Sequence, residues 1–201
     1  MKNSKLGRAL LLVACAVLLV SLSVGATLAY LTSQTGVVTN TFTVGSVNIT
    51  LDEYKVDEYG VADTTANRVQ ANTYKLIPGH TYTKDPIVHV AAGSEICYLY
   101  VKVTNDIAAI EADPTIAVQM EANGWHALEG VPGVYYYGTT VDARKATKDV
   151  DVVVFENFKI KTDADISNYA GKTVTITAYA IQADGFEGKT FAEIWAIAQF
   201  N

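Results

Sequence analysis

The chain has 201 residues, half of them hydrophobic, and 3 of its 15 basic residues (Lys2, Lys5 and Arg8) stand at its very start. The remainder carries 12 basic residues against all 21 acidic ones, a net charge of about −9. That balance excludes nucleic acid and anionic lipid as direct electrostatic partners, and the apolar content excludes a disordered chain.

In chain order, the basic start runs into an unbroken apolar stretch over residues 9–20, followed by small and weakly polar residues up to Ala29. This is the layout of an export signal. Thr27-Leu28-Ala29 places small residues at the −3 and −1 positions of a signal peptidase site, so cleavage is expected between Ala29 and Tyr30, removing residues 1–29. Two alternatives stand beside it. Residues 9–31 are long enough to be retained as a membrane anchor, and Leu12-Val13-Ala14-Cys15 looks like a lipobox, although it follows Arg8 closely and the apolar run continues past it. Contact with a membrane is expected only before cleavage.

Residues 30–201 read as one domain. Residues 30–41 are uncharged and β-permissive, an N-terminal arm in which Tyr30, Leu31, Val37 and Val38 supply the apolar bulk, continued by Phe42. Residues 39–51 alternate as a strand does, with a shift at Gly45-Ser46 that predicts a bulge or tight turn. Residues 52–73 are polar and read as a long excursion. Residues 87–90 form a short strand after Asp85-Pro86, and residues 95–104 form the clearest strand, with Cys97, Leu99, Val101 and Val103 on one face. Once Cys15 is removed, Cys97 has no partner for an internal disulfide, so it reads as a small core residue.

Residues 105–115 suggest a short helix or loop, residues 116–120 a strand, and residues 124–133 a turn-rich stretch. Residues 134–140, with Tyr135, Tyr136 and Tyr137, suit a strand, as do the β-branched residues 150–158. Residues 172–181 alternate Val174, Ile176, Ala178 and Ala180 against threonines and Tyr179. Thr190-x-x-Glu193 is a capping box that opens a helix, with Phe191, Ile194, Trp195 and Ala198 on one side. Leu99, Val101, Val174, Ile176 and Trp195 are the expected core. Many short strands with frequent turn signals, and no alternating βαβ units, point to an all-β antiparallel sandwich with short peripheral helices, preceded by the signal helix.

Several stretches carry a resemblance. The export segment running into Ala29-Tyr30-Leu31-Thr32, followed by Asn40-Thr41-Phe42-Thr43-Val44-Gly45, resembles the junction and first strand of the TasA/camelysin family of Gram-positive bacteria. Leu76-Ile77-Pro78-Gly79 with Lys84-Asp85-Pro86 resembles that family's Pro-Gly turn, and residues 180–186 with Trp195 are similar to its carboxy-terminal motif. Residues 106–149 match no motif of the family. The resemblance implies a jelly-roll β-sandwich, processing by a SipW-type signal peptidase, and a structural role on the cell surface or in the biofilm matrix, where members assemble into fibres. A free arm over residues 30–41 suggests how: it adds as a strand to the edge of the next molecule, making the chain its own partner in a homopolymer, the alternative being that it folds back and caps the edge of its own sheet.

Other chemistries are weaker. Camelysin members are described as metalloproteases, but His80, His89 and His126 do not form the His-Glu-x-x-His pattern that a zinc protease needs, so no catalytic or metal-binding set is expected. His80 and His89 could share a site with Asp85, though surface histidines are the simpler reading. The carboxylate pairs Asp52/Glu53, Asp57/Glu58, Asp149/Asp151 and Asp163/Asp165 read as a solvated face. No cofactor is expected, and Ca²⁺ at Asp163 and Asp165 rests only on hard-cation preference. The 12 tyrosines, with Trp125 beside Tyr135, Tyr136 and Tyr137, raise the alternative of a polysaccharide-stacking module.

Overall fold

The computed structural model describes residues 45–200. The export signal, the junction at Ala29 and Tyr30, and the arm residues Tyr30, Leu31, Val37, Val38 and Phe42 lie outside the described residues.

The described part is mostly β-structure, all of its strand pairs antiparallel, with two short α-helices. Strands β1 (Ile49–Asp52), β3 (Ile87–Val90) and β7 (Val150–Val153) form one sheet in the order β1-β3-β7. Strands β4 (Cys97–Asn105), β5 (Trp125–Ala127), β6 (Val134–Tyr137) and β9 (Val174–Gln182) form a second, in the order β5-β6-β4-β9. Strands β2 (Thr81–Thr83) and β8 (Asn157–Lys159) pair separately.

The core follows from alternation. Val88 and Val90 of β3, Val152 of β7 and Cys97, Leu99, Val101 and Val103 of β4 belong to one buried cluster fed by both larger sheets. The outward face of β4 presents Tyr98 and Tyr100, which the helix α2 (Phe191–Ala198) covers. Thr190 caps α2 in a complete capping box with Glu193, and the Tyr100 hydroxyl donates to the Phe191 carbonyl at 2.9 Å. Gly133, at φ +77°, makes the turn into β6; a Cβ there would stand 2.8 Å from the Val103 carbonyl oxygen, too close for any other residue.

Residues 116–120 are not a strand. They open the helix α1 (Ile116–Ala122), because the Thr115 side chain caps Val118 N–H and Ile116 and Met120, four residues apart, both bury. Residues 125–127, expected to be a turn, form β5. Of the expected core, Leu99 and Val101 are fully buried. Val174, Ile176 and Trp195 are only half-buried: the first two lie on a sheet edge, and Trp195 sits at the margin of the α2 face, its ring 5.3 Å from that of Tyr100.

Candidate functional site

The two lateral sides of the fold are built differently. On the β7 and β5 side, the Trp125 indole N–H donates to the Val153 carbonyl at 2.8 Å and Asn123 reaches the Val154 carbonyl. Gln119 of α1 donates to the Asn157 carbonyl at 2.9 Å and accepts from Glu156 and Asn157 N–H. The helix and the buried Trp125 therefore bridge that side at a few backbone groups, although β5 and β7 also end their sheets among the described residues.

The β1 and β9 side is open. β9 pairs with β4 along one edge, β1 pairs with β3 along one edge, and among the described residues no strand pairs with the other edge of either, although Glu53 at the exit of β1 exchanges both backbone hydrogen bonds with Val69, 2.8 Å each, as an isolated bridge. Between them runs a groove of about 1090 Å³ lined by residues 49–53 of β1 and its exit and by residues 174–178 of β9. Its floor is apolar: Ile49, Leu51, Val174, Ile176 and Ala178 line it, together with Tyr74, Phe158 and Ile166. These inward side chains of β1 and β9 are half-buried where their neighbours on β3 and β4 are fully buried. An edge strand of nine residues with a half-wet inner face is the acceptor form of strand addition.

Charge organises the outer wall. Glu53 is buried and ion-paired with Lys84 at 2.6 Å, and its other oxygen accepts from Asn72 at 2.8 Å. Arg68 reaches back from the excursion to hold Asp52 of β1 and, at 2.8 Å, Asp85. Its guanidinium also lies 4.5 Å from the Tyr54 ring centre. His89 of β3 bridges the sheet, with Nδ1 2.6 Å from Asp151 of β7 and Nε2 3.0 Å from Asp52. Both ring nitrogens face carboxylates, an arrangement that only the imidazolium satisfies as a double donor. Partial burial opposes that charge, but the hydrogen bonds to Asp52 and Asp151 outweigh it and raise the His89 pKa above its ordinary value. Burial also works against the Asp52 carboxylate, and the bonds from Arg68 and His89 nonetheless hold its pKa below the usual range.

The sequence-level candidates fall elsewhere or apart. His80 contacts the Tyr59 carbonyl at 2.8 Å and His89 its two carboxylates, while Asp85 belongs to Arg68, so no shared site joins them. His126 lies beside Tyr136. Among the described residues no three His, Cys, Asp or Glu side chains are placed to hold a metal ion. Asp165 is occupied in accepting from Ser167 N–H. The Asp52/Glu53 pair is not a solvated face, since Glu53 is buried against Lys84. The aromatic platform does not form: Trp125 is fully buried, and strand alternation sends Tyr135 and Tyr137 into the main core and Tyr136 to the opposite face, stacked 4.0 Å from Phe191. Cys97 is buried, and desolvation pushes its thiol up to about 11, which leaves it inert at neutral pH.

Nothing in the sequence marks Arg68 or Asn72, and Lys84 stands out only as part of the stretch before Asp85-Pro86. Each meets its partner 16 to 31 residues away, with no local motif to mark the pairing.

Comparison with protein-family models, with curated proteins and with solved structures finds no match to this chain.

Proposed function

We propose that this chain is an exported structural protein of the cell surface or biofilm matrix, of the TasA/camelysin kind. In this reading it folds as a jelly-roll β-sandwich whose β1/β9 groove receives the N-terminal arm of a neighbouring copy. The observation that carries the reading is the difference between the two sides: one is bridged by α1 and Trp125, and the other holds, among the described residues, an apolar groove between two sheet edges. The arm over residues 30–41 is uncharged and rich in threonine and valine. At about 3.3 Å per residue it spans roughly 40 Å, enough to lie along all of β9. Adding it would pair the free edge of β9 and remove the half-wet floor of the groove from water, two gains that reinforce each other. A SipW-type signal peptidase is the expected processing partner, and the tether to the membrane ends with cleavage.

Electron microscopy and sedimentation of the chain beginning at Tyr30, beside a truncation lacking residues 30–38, test this. Fibres are expected from the first and monomers from the second. Identical fibres from both, or none from either at any concentration, overturns the reading.

A further inference from the structure

Lys84, Glu53 and Asn72 meet in an arrangement that an ordinary ion pair does not need. The Glu53 carboxylate takes the Lys84 ammonium on one oxygen at 2.6 Å and the Asn72 side-chain N–H on the other at 2.8 Å. An amine and a carboxamide are thus held at the two ends of one buried carboxylate. The orientation of the amide is set on both sides. Its Nδ2 also donates to the Tyr54 carbonyl at 2.8 Å, and its Oδ1 accepts from the Val56 N–H at 3.0 Å. Turned over, the amide would face acceptors with its oxygen and a donor with its nitrogen.

We propose that Lys84 and Asn72 join here in an intramolecular amide bond, formed by the folded chain itself, with Glu53 carrying the protons and ammonia released. The bond is independent of the arm and of assembly. Lys84 first passes a proton to Glu53, leaving a neutral amine and a neutral acid. The Nζ lone pair then attacks Cγ of Asn72, and the carbonyl electron pair moves onto Oδ1, where the Val56 N–H donates to the developing charge. Glu53 takes a second proton from Nζ and delivers one to Nδ2. The Cγ–Nδ2 bond breaks, its electron pair leaves with ammonia, and the carbonyl re-forms. Nζ keeps one of its three protons, ammonia carries three, and one stays on Glu53. A buried ion pair is thereby replaced by a neutral amide and a neutral acid, which removes two charges from a place where charge is costly.

The backbone supplies the positioning that makes an unreactive carboxamide a usable electrophile. Glu53 exchanges backbone hydrogen bonds with Val69 in the excursion, Tyr54 N–H donates to the Asp85 carboxylate at 2.8 Å, and Lys84 N–H donates to the Glu156 carbonyl at 3.2 Å. Tyr74 and Phe158, with ring centres 5.2 Å apart, line the same groove as the three reacting side chains, so the site has apolar walls and ammonia has a way out. The bond closes the loop between residues 72 and 84 and ties the excursion to the exit of β2. Unlike a disulfide, it does not depend on redox conditions.

Mass spectrometry of the whole folded chain, intact and after trypsin digestion, tests this. The intact chain is expected to be lighter than its sequence by one ammonia. Cleavage after Lys84 is expected to be lost, and residues 69–75 should appear joined to residues 76–102 in one branched peptide with two amino termini. Glu53→Gln, which keeps the shape but cannot carry a proton, and Lys84→Arg, which keeps the charge, are expected to lose the branched peptide completely while circular dichroism remains that of the parent. Separate peptides from the folded parent chain, with cleavage after Lys84, would overturn the proposal. So would ammonia lost only at Asn123-Gly124, where succinimide closure gives the same mass change. A branched peptide formed equally well in Glu53→Gln would overturn the role given to Glu53.

Discussion

At the residue scale, His89 joins all three strands of its sheet. Its imidazolium donates to Asp52 of β1 and Asp151 of β7, and Asp52 is shared with Arg68. The folded pKa of His89 lies above its ordinary 6.5. Its contribution to stability is therefore complete below about pH 6.5 and is lost as the pH rises through the raised folded value. Urea midpoints of the parent and of His89→Gln should differ clearly at about pH 5.5 and converge by about pH 8.5. A difference that stays constant over that range would mean that folding leaves the His89 pKa unshifted, and one that grows with pH that its ring is held neutral in the fold. Burial sets a second contrast. Leu99→Ala, at a fully buried position, should cost about 2–5 kcal/mol. Ile176→Ala should cost distinctly less in the monomer, because its side chain is half-solvated at the groove. Equal losses in denaturant unfolding would show that the groove is closed in solution.

At the element scale, what could be read from the sequence was what local periodicity determines. Strands β3, β4, β6 and β9 stand close to where alternation placed them, and α2 begins at the capping box that announced it. The errors came where two periods compete. Ile116, Val118 and Met120 alternate as a strand would, yet Ile116 and Met120 also sit one helical turn apart. The Thr115 cap and the Asn123-Gly124 stop decide for the helix, leaving Val118 about half exposed. Alternation also says which side chains face inward but not whether a strand is central or at an edge. Val174 and Ile176 point inward as expected and are half-wet, with β9 ending its sheet among the described residues. The groove and its ion-paired wall depend on contacts such as His89 with Asp151, 62 residues apart, which no local pattern encodes.

At the scale of the whole molecule, an open polymer needs a donor and an acceptor that meet only between copies, and it needs the donor withheld until export is complete. On the proposed reading the acceptor is the β1/β9 side, where among the described residues no strand pairs with the outer edge of either strand. An arm anchored through the apolar residues 9–20 would be held at the membrane and could not reach along a neighbour's β9. On that reading cleavage would be the step that commits the chain to assembly, and its position would matter. Removal after Ala29 leaves the whole arm, whereas a cut ten residues later would leave too little chain to follow the nine residues of β9. N-terminal sequencing of the exported protein should therefore read Tyr30-Leu31-Thr32-Ser33. A mature chain that begins at a lipid-modified Cys15, or one that still begins at Met1, would show that the arm is never released and that cleavage is not the switch.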